Sequence, residues 1–578
     1  MAVERVWWGK YPEGVGREAA PFPVEHLGQL VHQAAARYGD RKAATVVLPN
    51  GMQTSLSFKA VDQQSDAFAA YLTHGLKLAP GTRVALLLPN TLAYPVCAFG
   101  ALKAGCVLVN TNPLYTAREL ELQLQDSGAE VLVVLDHFGD KVTEVVPRTA
   151  VKTIVLTSVA DFFPWTSRAL IKAKLKVSRM VPRMGLPAVR LPRALHQGAL
   201  YRAKEHLLHA TMDRPVPTRE SLALLQYTGG TTGVSKGAML THGNLLANLE
   251  QIAEITKPYL TYGQETVLTV LPMYHVIAFT INLCYGFHTG SHNILVPNPR
   301  PLKNLLPAFR KHAITWMTAV NTLLKALPDE PWFTPDLTRK MLGAFAGGMQ
   351  THPAVLERWE AHTGCLVIEG FGLSETSPLV TYNAAVKDGS RLRRTMRQVG
   401  GVGLPLPGTD LRIVDDEGRE VAPGEHGEIV VKGPQVMRGY WNQPGETERA
   451  LRDGWLHTGD IGCLDADGYL QITDRKKDMI IVSGFNVFPN EVEACIALHP
   501  DVADVAVVGE PSDLTGEAVR AFVVLRKELS VEELRAHCKR LLANYKVPTG
   551  VSFLAEIPKN AVGKALRRKL RRAVEDKG

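Results

Sequence analysis

The seven cysteines of this 578-residue chain form no CxxC pair and no regular spacing. The sequence therefore predicts neither a disulfide framework nor a zinc site, and a reducing cytosol is the simplest setting. Long apolar runs are missing as well, and the longest fall far short of the roughly 20 residues that a membrane-spanning helix needs. The first residues also lack the apolar stretch of a signal peptide. We therefore expect a globular, cytoplasmic protein.

Acidic residues are absent from residue 162 to residue 204, where ten basic residues lie among aromatic and aliphatic ones such as Trp165 and Leu170. Such a surface suits the anionic inner face of the cytoplasmic membrane, so we expect peripheral membrane contact through 162–204 or, alternatively, a solvated insertion. No nucleic-acid motif accompanies the net charge of +8. The sequence therefore predicts no nucleic-acid partner.

Short apolar runs alternate with helical patterns over most of the chain, which predicts βαβ units and largely parallel sheets. Glycine and proline become dense from residue 400, and short strand-like pieces follow. A polar junction at 474–477 precedes a compact unit, in which Pro489 and the pair Ser530 and Glu533 indicate helix starts. We predict an α/β fold with a large N-terminal domain at 1–473, a β-rich subdomain at about 400–473, a hinge at 474–477 and a small hinged α+β domain at 478–578.

The densest group of phosphate-binding residue types is the sequence Tyr-Thr-Gly-Gly-Thr-Thr-Gly-Val-Ser-Lys-Gly at 227–237. Glycines let a backbone turn its amides toward phosphate oxygens, and hydroxyls and a lysine add donors and charge. The loop is not a Walker A motif, because Lys236 is followed by glycine instead of serine or threonine. The pattern predicts a nucleotide-phosphate site formed by Thr228, Gly229, Gly230, Thr231, Thr232 and Lys236.

This loop resembles the phosphate-binding signature of the adenylate-forming (AMP-binding) superfamily, which includes acyl-CoA synthetases, adenylation domains of peptide synthetases and beetle luciferases. The other signatures of that superfamily follow in the expected order. The chain is most similar to bacterial-type long-chain fatty-acid–CoA ligases, over nearly its full length. The resemblance implies ATP and coenzyme A as co-substrates, Mg²⁺ as cofactor and a long-chain fatty acid as substrate, and it is compatible with a homodimer.

By the same resemblance, the glycine-bearing turns at 345–349 and 369–376 hold the adenine ring and the acyl end. The residues implied at the nucleotide are Gly348, Glu369, Gly370, Phe371, Gly372 and Ser374. Glu375 is implied as a catalytic residue and Mg²⁺ ligand, with Thr228 as a second ligand. A hard oxygen donor beside a phosphate loop is what Mg²⁺ requires.

The span 453–477 resembles the fatty-acyl-CoA synthetase signature of the family. It implies that Asp460 accepts hydrogen bonds from the ribose hydroxyls and that Arg475 donates to the same sugar, since a carboxylate can accept two bonds from a vicinal diol. In related enzymes the hinge lies two residues after that arginine, which implies Lys477 here. A hinge is needed because adenylation must exclude water whereas thioester formation must admit a thiol. Lys564, in a Pro-Lys-x-x-x-Gly-Lys frame, is implied as the catalytic lysine that reaches the carboxylate and the α-phosphate.

The segment 272–279 resembles a wall of the acyl tunnel in fatty-acyl ligases. It implies that His275 is a catalytic residue near the adenylate and that Phe279 contacts the acyl chain. Val320 and Gly347 are further implied acyl contacts. The implied coenzyme A contacts are Ser483, Gly484 and Phe485.

The predicted function is ATP-dependent activation of a long-chain fatty acid to acyl-AMP, with release of pyrophosphate, followed by acyl transfer to coenzyme A. The same adenylation chemistry on a medium-chain, aromatic or carrier-protein-linked acid stays open. A kinase-like ATPase, a non-catalytic sensor and a luciferase-like oxidase are more distant alternatives. The sequence decides neither the chain-length preference nor the role of the basic stretch 391–397.

Overall fold

A computed structural model describes residues 5–208, 215–228, 235–348, 351, 353–389, 391–394, 401–483, 485–512, 514–560 and 563–575. Within these ranges the strands pair into four main sheets and one separate two-stranded hairpin.

The strands are numbered in chain order within the described residues. They are β1 (Lys42–Val47), β2 (Gln53–Ser57), β3 (Arg83–Leu87), β4 (Val107–Asn110), β5 (Val131–Leu135), β6 (Thr153–Thr157), β7 (Val189–Arg190), β8 (Leu222–Thr228), β9 (Lys236–Thr241), β10 (Thr266–Thr269), β11 (His292–Leu295), β12 (Trp316–Ala319), β13 (Gly343–Ala346), β14 (Leu366–Gly372), β15 (Leu379–Tyr382), β16 (Ala385–Asp388), β17 (Arg391–Arg394), β18 (Leu404–Pro405), β19 (Asp410–Val414), β20 (Gly427–Lys432), β21 (Leu451–Arg452), β22 (Trp455–Leu464), β23 (Leu470–Arg475), β24 (Ile480–Val482), β25 (Phe485–Val487), β26 (Val502–Ser512), β27 (Gly516–Leu525) and β28 (Gly550–Phe553).

The α-helices are numbered in the same way. They are α1 (Leu27–Tyr38), α2 (Phe58–Ala70), α3 (Ala93–Lys103), α4 (Ala117–Ser127), α5 (Gly139–Val145), α6 (Trp165–Val177), α7 (Leu191–Leu208), α8 (His242–Thr256), α9 (Gly286–Thr289), α10 (Leu306–Lys311), α11 (Asn321–Ala326), α12 (Pro335–Thr338), α13 (Pro353–Thr363), α14 (Pro444–Ala450), α15 (Pro489–Ala497), α16 (Val531–Leu541) and α17 (Arg567–Glu575).

Two large, mainly parallel sheets form the first part of the chain. One has the strand order β18-β15-β14-β13-β12-β10-β11-β1-β2, and the other has the order β7-β6-β5-β3-β4-β8-β9. Their central strands are parallel, as in the pairs β3–β5 and β12–β13. Every residue of β5 is buried, which is typical of parallel strands covered by helices on both faces. The predicted α/β fold class is confirmed.

Two smaller sheets follow. Strands β19 to β23 form an antiparallel sheet, and β24 to β28 form a mixed sheet that packs with α15 and α16. The latter has its own apolar cluster, which includes Ile480, Val507 and Leu534. Both predicted helix starts are confirmed, because Pro489 opens α15 and the Ser530 side chain accepts a hydrogen bond from the Glu533 amide at the start of α16.

The stretch 162–204 folds mainly into α6 and α7. On α6, Ile171 is buried, whereas the large apolar side chains of Trp165, Leu170 and Val177 are exposed. Lys172 pairs with the buried carboxylate of Asp161 at 3.2 Å. No helix in the described ranges combines the length and apolar character that a membrane span requires.

The basic stretch after residue 384 contains a hairpin that the sequence reading did not predict. Strands β16 and β17 pair antiparallel, and the side chains of Lys387, Arg391 and Arg393 are exposed. Residues 395–400 of the same stretch lie outside the described residues. The hairpin accounts for part of the exposed basic surface.

Candidate active site

A cavity of about 2590 Å³ lies where the carboxyl ends of the two parallel sheets meet. Its walls include Leu135, which ends β5, and Leu271 and Val320, which follow β10 and β12. Ligand sites commonly form at this edge of parallel sheets, because the loops that leave the strands converge there. The cavity extends to α6 at one end and to the C-terminal residues around Lys564 at the other.

Asp460 and Arg475 are cross-strand neighbours on β22 and β23. The Arg475 Nε lies 2.5 Å from Asp460 Oδ1. Asp460 is only 4% exposed, and its Oδ2 has no hydrogen-bond partner among the described residues. Burial raises the pKa of the Asp460 carboxyl, and the charges of Arg475 and Lys564 oppose that rise. A buried acceptor with one free oxygen is suited to a sugar diol.

Lys564 lies on the loop that precedes α17 and borders the cavity. Its backbone amide donates to Asn560 Oδ1 at 2.9 Å, and the Asn560 amide donates back to the Lys564 carbonyl at the same distance. Burial lowers the pKa of the ammonium, Arg475 lowers it further, and Asp460 raises it. The structure therefore places Lys564 close enough to Asp460 and Arg475 for their charges to act on its pKa.

Gly563 allows the Lys564 loop to approach α11 closely. Its φ is +79°, in the left-handed region, and a Cβ there would lie 2.7 Å from Thr322 Oγ1. Helix α11 makes a second contact with the C-terminal residues, a hydrogen bond from Lys325 Nζ to the Ala503 carbonyl on β26 at 2.5 Å. The C-terminal residues therefore close one end of the cavity.

Lys477 also borders the cavity, just after β23. Burial, together with the nearby charges of Arg475 and Lys564, lowers its pKa to about 8, although Asp478 opposes this. Arg475, Lys477 and Lys564 thus concentrate positive charge at one end of the cavity. Such a concentration favours an anionic ligand there.

Glu375 lies in a short 3₁₀ turn after β14 and is held by the segment that follows β20. The Tyr440 hydroxyl donates to Glu375 Oε1 at 2.8 Å, and the Met437 amide donates to the Glu375 carbonyl at 2.8 Å. The Lys236 ammonium lies 5.2 Å from the Tyr440 ring centre and also pairs with Glu446. Tyr440 thus contacts both Glu375 and Lys236.

The first part of the phosphate loop lies on β8, which pairs with β9 so that Thr228 faces Lys236. The Ser235 hydroxyl donates to the Thr228 carbonyl at 2.7 Å. Gly229, Gly230, Thr231 and Thr232 lie outside the described residues.

Three predicted segments converge at the ends of β13 and β14. A Cβ at Gly347 would lie 3.7 Å from the Gly370 carbonyl oxygen, and one at Gly348 would lie 3.5 Å from Ile277 Cδ1. Glu369 is buried, and its Oε1 accepts a hydrogen bond from the Thr351 amide at 3.2 Å.

The turn expected over 369–376 begins later than the sequence indicated. Gly370, Phe371 and Gly372 continue β14 and pair with β15, and Ser374 opens the 3₁₀ turn. A Cβ at Gly372 would lie 1.8 Å from the Pro378 carbonyl oxygen, so the loop can fold back only against glycine.

The two residues predicted at the acyl tunnel wall differ in their surroundings. His275 is half-buried, its Nδ1 accepts a hydrogen bond from the Ile277 amide at 3.4 Å, and burial lowers its pKa to about 4. Phe279 is fully buried within a π-helical segment, Ala278–Tyr285, and does not line the main cavity. Val320 does line it.

Two of the residues predicted at coenzyme A, Ser483 and Phe485, lie at the β24–β25 hairpin and do not border the cavity that Lys564 lines. Ser483 has a φ of +50°, and its amide donates to the Thr515 carbonyl at 2.8 Å. Phe485 is 57% exposed and stacks on Tyr545 with ring centres 4.9 Å apart. Gly484 lies outside the described residues.

Sequence reasoning missed Tyr440 and Glu446, whose contacts with Glu375 and Lys236 span 65 and 210 residues. It also missed the contacts of Arg567 with Asp474 and Asn490, described below. The short spacing between Lys564 and Arg567 was the one local signal that could have indicated a role for the arginine.

The chain matches two family models. Residues 31–441 match the model of the AMP-binding enzyme, and residues 491–564 match that of the AMP-binding enzyme C-terminal domain. The two matches follow each other in the order of the large and small sheet units.

Individual relatives cover nearly the whole chain. A long-chain-fatty-acid–CoA ligase of Escherichia coli O157:H7 is 45% identical over 573 residues, which are 98% of this chain and 98% of that protein. A feruloyl-CoA synthase of Amycolatopsis sp is 31% identical over 562 residues, 95% of this chain and 98% of that protein. The crystal structure of ATP-bound MatB from Rhodopseudomonas palustris superposes with a TM-score of 0.78 at 27% identity, covering 95% and 99% of the two chains.

Proposed function

This chain belongs to the AMP-binding enzyme family, and from that membership we propose that it is an ATP-dependent ligase for long-chain fatty acids and coenzyme A. The fatty-acid carboxylate attacks the α-phosphorus of ATP, and pyrophosphate leaves. The coenzyme A sulfur then attacks the acyl carbon of the adenylate, and AMP leaves. The greater identity to the long-chain ligase than to the feruloyl-CoA synthase supports a fatty acid over an aromatic acid as substrate.

The observation that carries this proposal is the position of Lys564 beside the Asp460–Arg475 pair at one end of the large cavity. In the first half-reaction, negative charge gathers where the carboxylate meets the α-phosphate. A lysine in a partly desolvated site stabilises that charge more than it would in water. Lys564 is therefore assigned to the adenylation step, with His275 as a neutral neighbour of the adenylate.

The nucleotide is assigned to the adjoining residues. The free oxygen of Asp460 accepts from the ribose, and Arg475 donates to the same sugar. The adenine is assigned to the surface formed by Gly348 and the end of β14, where a Cβ-free backbone leaves room for a planar ring. Lys236 and the loop before it are assigned to the phosphates.

The residues present fit a Mg²⁺ ion. Glu375 offers a carboxylate whose Oε1 is oriented by Tyr440, and Thr228 offers a hydroxyl on β8, a strand in contact with the turn of Glu375. No cluster of three His, Cys, Asp or Glu side chains suited to a metal occurs in the described part of the chain. A site with one carboxylate is typical of Mg²⁺ that is held mainly by substrate phosphates, whose charge the ion neutralises.

The lining of the cavity supports a long acyl chain. The volume of about 2590 Å³ spans the whole cavity from α6 to the residues around Lys564, so it holds room for the nucleotide as well as for an acyl chain. Its apolar wall includes Phe138, Ile171, Leu175, Leu302 and Leu323. Each buried methylene contributes about 0.8 kcal/mol, so an apolar wall favours longer chains.

The second half-reaction is assigned to a rotation of the C-terminal residues about Lys477. Lys564 occupies the end of the cavity in this arrangement, whereas Ser483 and Phe485 lie on an exposed hairpin. The thiol of coenzyme A needs access to the acyl carbon beside which Lys564 lies during adenylation. The β24–β25 hairpin must therefore replace the Lys564 loop at the end of the cavity.

Helix α6 is assigned to peripheral contact with an anionic membrane. Its exposed Trp165, Leu170 and Val177 accompany exposed basic residues, and no acidic residue interrupts them. Apolar side chains that enter the interface and cations that pair with lipid phosphates act together in such helices. Leu170 and Ile171 also line the cavity, so the contact would lie beside the acyl site.

Mass spectrometry of the products tests the proposal. The protein is incubated with ATP, Mg²⁺, coenzyme A and an equimolar mixture of saturated acids from acetate to stearate, with ferulate added. Formation of AMP, pyrophosphate and long-chain acyl-CoA is the expected result. Accumulation of acyl-AMP without thioester would favour the carrier-protein alternative, feruloyl-CoA would favour the aromatic one, and ADP would contradict adenylation.

A further inference from the structure

Two hydrogen bonds cross the junction between β23 and the C-terminal unit. The Asn490 amide donates to Asp474 Oδ2 at 2.7 Å, and Asn490 Nδ2 donates to the Thr473 carbonyl at 3.1 Å. Asn490 is the second residue of α15, and the residue before that helix, Phe488, makes no side-chain cap bond. The Asp474 carboxylate therefore caps α15 from the opposite side of Lys477.

Arg567 strengthens the same junction. Its Nη2 donates to Asn490 Oδ1 at 2.6 Å and to Glu493 Oε1 at 2.8 Å, and its Nη1 lies 3.4 Å from both Asp474 Oδ1 and Asp478 Oδ2. Arg567 is the first residue of α17 and lies three residues after Lys564. It thus connects the start of that helix to carboxylates on both sides of Lys477.

These contacts fall into two groups, according to whether they cross the hinge at Lys477. The bonds of Arg567 to Asn490 and Glu493 lie within the C-terminal unit, and a rotation about Lys477 leaves them intact. The bonds to Thr473 and Asp474 join that unit to β23, and a rotation breaks them. Only the second group distinguishes one arrangement of the two parts from another.

The broken group is energetically significant because Asp474 is almost fully buried, at 1% exposure. Its carboxylate accepts from the Arg475 amide at 2.7 Å and from the Asn490 amide at 2.7 Å, with Arg567 close by. Hydrogen bonds to a charged acceptor are stronger than those between neutral groups. A rotation keeps the bond from the Arg475 amide but breaks the contacts with Asn490 and Arg567, and their loss disfavours the separated arrangement.

We propose that Asp474 and Asn490 are positioning residues for adenylation: they hold the C-terminal unit in the arrangement that keeps Lys564 at Asp460 and Arg475, and their separation precedes thioester formation. The inference rests on the ligase function proposed above. It adds that the two half-reactions respond in opposite ways to the strength of this junction. Weakening it slows the first step and leaves the second unchanged or faster.

The test compares Asn490→Ala with a matched control, Glu491→Ala. Asn490→Ala removes the bonds to Thr473 and Arg567, whereas Glu491→Ala removes a pair with Lys546, at 2.7 Å, that lies wholly within the C-terminal unit. Adenylation is measured as palmitate-dependent exchange of pyrophosphate into ATP. Thioester formation is measured in a single turnover of preformed palmitoyl-AMP with coenzyme A.

We expect Asn490→Ala to lower the exchange rate about tenfold, while the single-turnover rate stays within about twofold of wild type or rises. Glu491→Ala should leave both the exchange rate and the single-turnover rate close to those of wild type. An equal fall in both half-reactions of Asn490→Ala, or an unchanged exchange rate, would overturn the inference. A wild-type protein that catalyses neither half-reaction would instead overturn the proposed function on which it rests.

A charge variant keeps the inference testable if Asn490→Ala folds poorly. Asn490→Asp has nearly the same size but places a second carboxylate beside Asp474, so it should lower exchange at least as much. Adding Asp474→Asn removes the repulsion and should restore much of the lost exchange. A double variant no faster in exchange than Asn490→Asp alone would contradict repulsion between carboxylates at positions 474 and 490 as the cause of the loss.

Discussion

Arg475 faces Asp460 across β22 and β23, with its Nε 2.5 Å from Asp460 Oδ1, while the second oxygen of that buried carboxylate has no partner in the described ranges. The arginine offsets the cost of burying the charge. The free oxygen remains available to a ligand at the end of the cavity.

Replacement of Asp460 by asparagine should therefore weaken ATP binding. The amide retains one acceptor but loses the charge that pairs with Arg475, so we expect the Kd for ATP to rise about tenfold or more. Isothermal titration with ATP measures this. Asp453→Asn, at an exposed turn position with a φ of +50° that asparagine tolerates, is the control and should bind ATP as wild type. Equal binding by both variants would remove Asp460 from the ribose site.

Lys564→Ala should abolish adenylation and largely spare the use of preformed acyl-AMP. The charges of Asp460 and Arg475 act on this lysine, and in the proposed mechanism its own charge serves the first transition state only. Loss of such a group commonly costs about 10²–10³ in rate. Exchange and single-turnover assays separate the two steps, and Lys539→Ala on the surface of α16 is the control. A similar loss in both steps would contradict the assigned role.

Tyr440→Phe should weaken the Mg²⁺ dependence of ATP binding. The substitution removes the 2.8 Å hydrogen bond that orients Glu375, but it retains the aromatic ring that lies near Lys236. Loss of a partner that orients a metal ligand commonly costs about 10–100-fold in metal affinity. Titration of ATP binding against Mg²⁺ measures the shift. The comparison is Tyr262→Phe, which loses a hydroxyl contact with His288 instead of one with Glu375. A shift of the same size in that variant would show a general packing effect.

Acid should destabilise the fold partly through His242. This residue is 1% exposed, and burial, with a smaller contribution from the charge of His26, lowers its pKa from 6.5 to about 3. Between those values the unfolded chain binds a proton that the folded chain does not. The unfolding free energy therefore falls as the pH drops below 6.5, by about 1.4 kcal/mol per pH unit for this group.

His242→Gln should flatten that acid slope, even if it lowers stability near neutral pH by removing the acceptor of the Leu27 amide. Urea unfolding at about pH 7, 6, 5 and 4 measures the free energy of unfolding across the range in which the unfolded histidine takes up its proton. His196→Gln on the surface should keep the wild-type slope. An unchanged slope in His242→Gln would show that the histidine is not held neutral by the fold.

Neutralising basic residues of the α6 region should weaken binding to anionic vesicles. The triple change Lys176→Gln, Arg179→Gln and Arg183→Gln avoids Lys172, whose removal would leave the buried Asp161 unpaired. At about 1 kcal/mol for each charge, binding to phosphatidylglycerol vesicles should fall about 10²-fold. Binding to phosphatidylcholine vesicles should change little.

The basic hairpin provides a matched control of equal charge. Lys387→Gln, Arg391→Gln and Arg393→Gln remove three exposed cations at a distance in sequence from α6. Vesicle sedimentation should show nearly wild-type binding for this variant. Equal losses from both triple variants would indicate attraction by net charge alone and would contradict a specific role for α6.

Much of the candidate site could be proposed from the sequence because its residues occur in short patterns that resemble those of a known family. The glycine- and threonine-rich loop, the span 453–477 and the frame that ends at Lys564 are each read within a few tens of residues. The fold class was predictable for a related reason, since buried parallel strands such as Val131–Leu135 are continuous apolar runs. The rest depends on contacts between distant segments.

Phe279 illustrates this limit. An aromatic residue in an apolar segment is compatible with a tunnel wall or with the core, and only the packing of neighbouring helices decides between them. Here it is fully buried and does not line the main cavity. The hairpin of β16 and β17 is a second case, because its charged residues gave no alternating apolar pattern from which strands could be predicted.

The sequence by itself determined the alternation of strands and helices, the positions of the helix starts, and the residue types able to bind phosphate, sugar and metal. These are local properties, set by side-chain periodicity and by short-range hydrogen bonding. Only the tertiary structure decided that Tyr440 orients Glu375, that Gly563 fits against Thr322 and that Asp474 caps the helix of Asn490. Those relationships depend on which surfaces meet when distant segments pack together, and no local pattern encodes that choice.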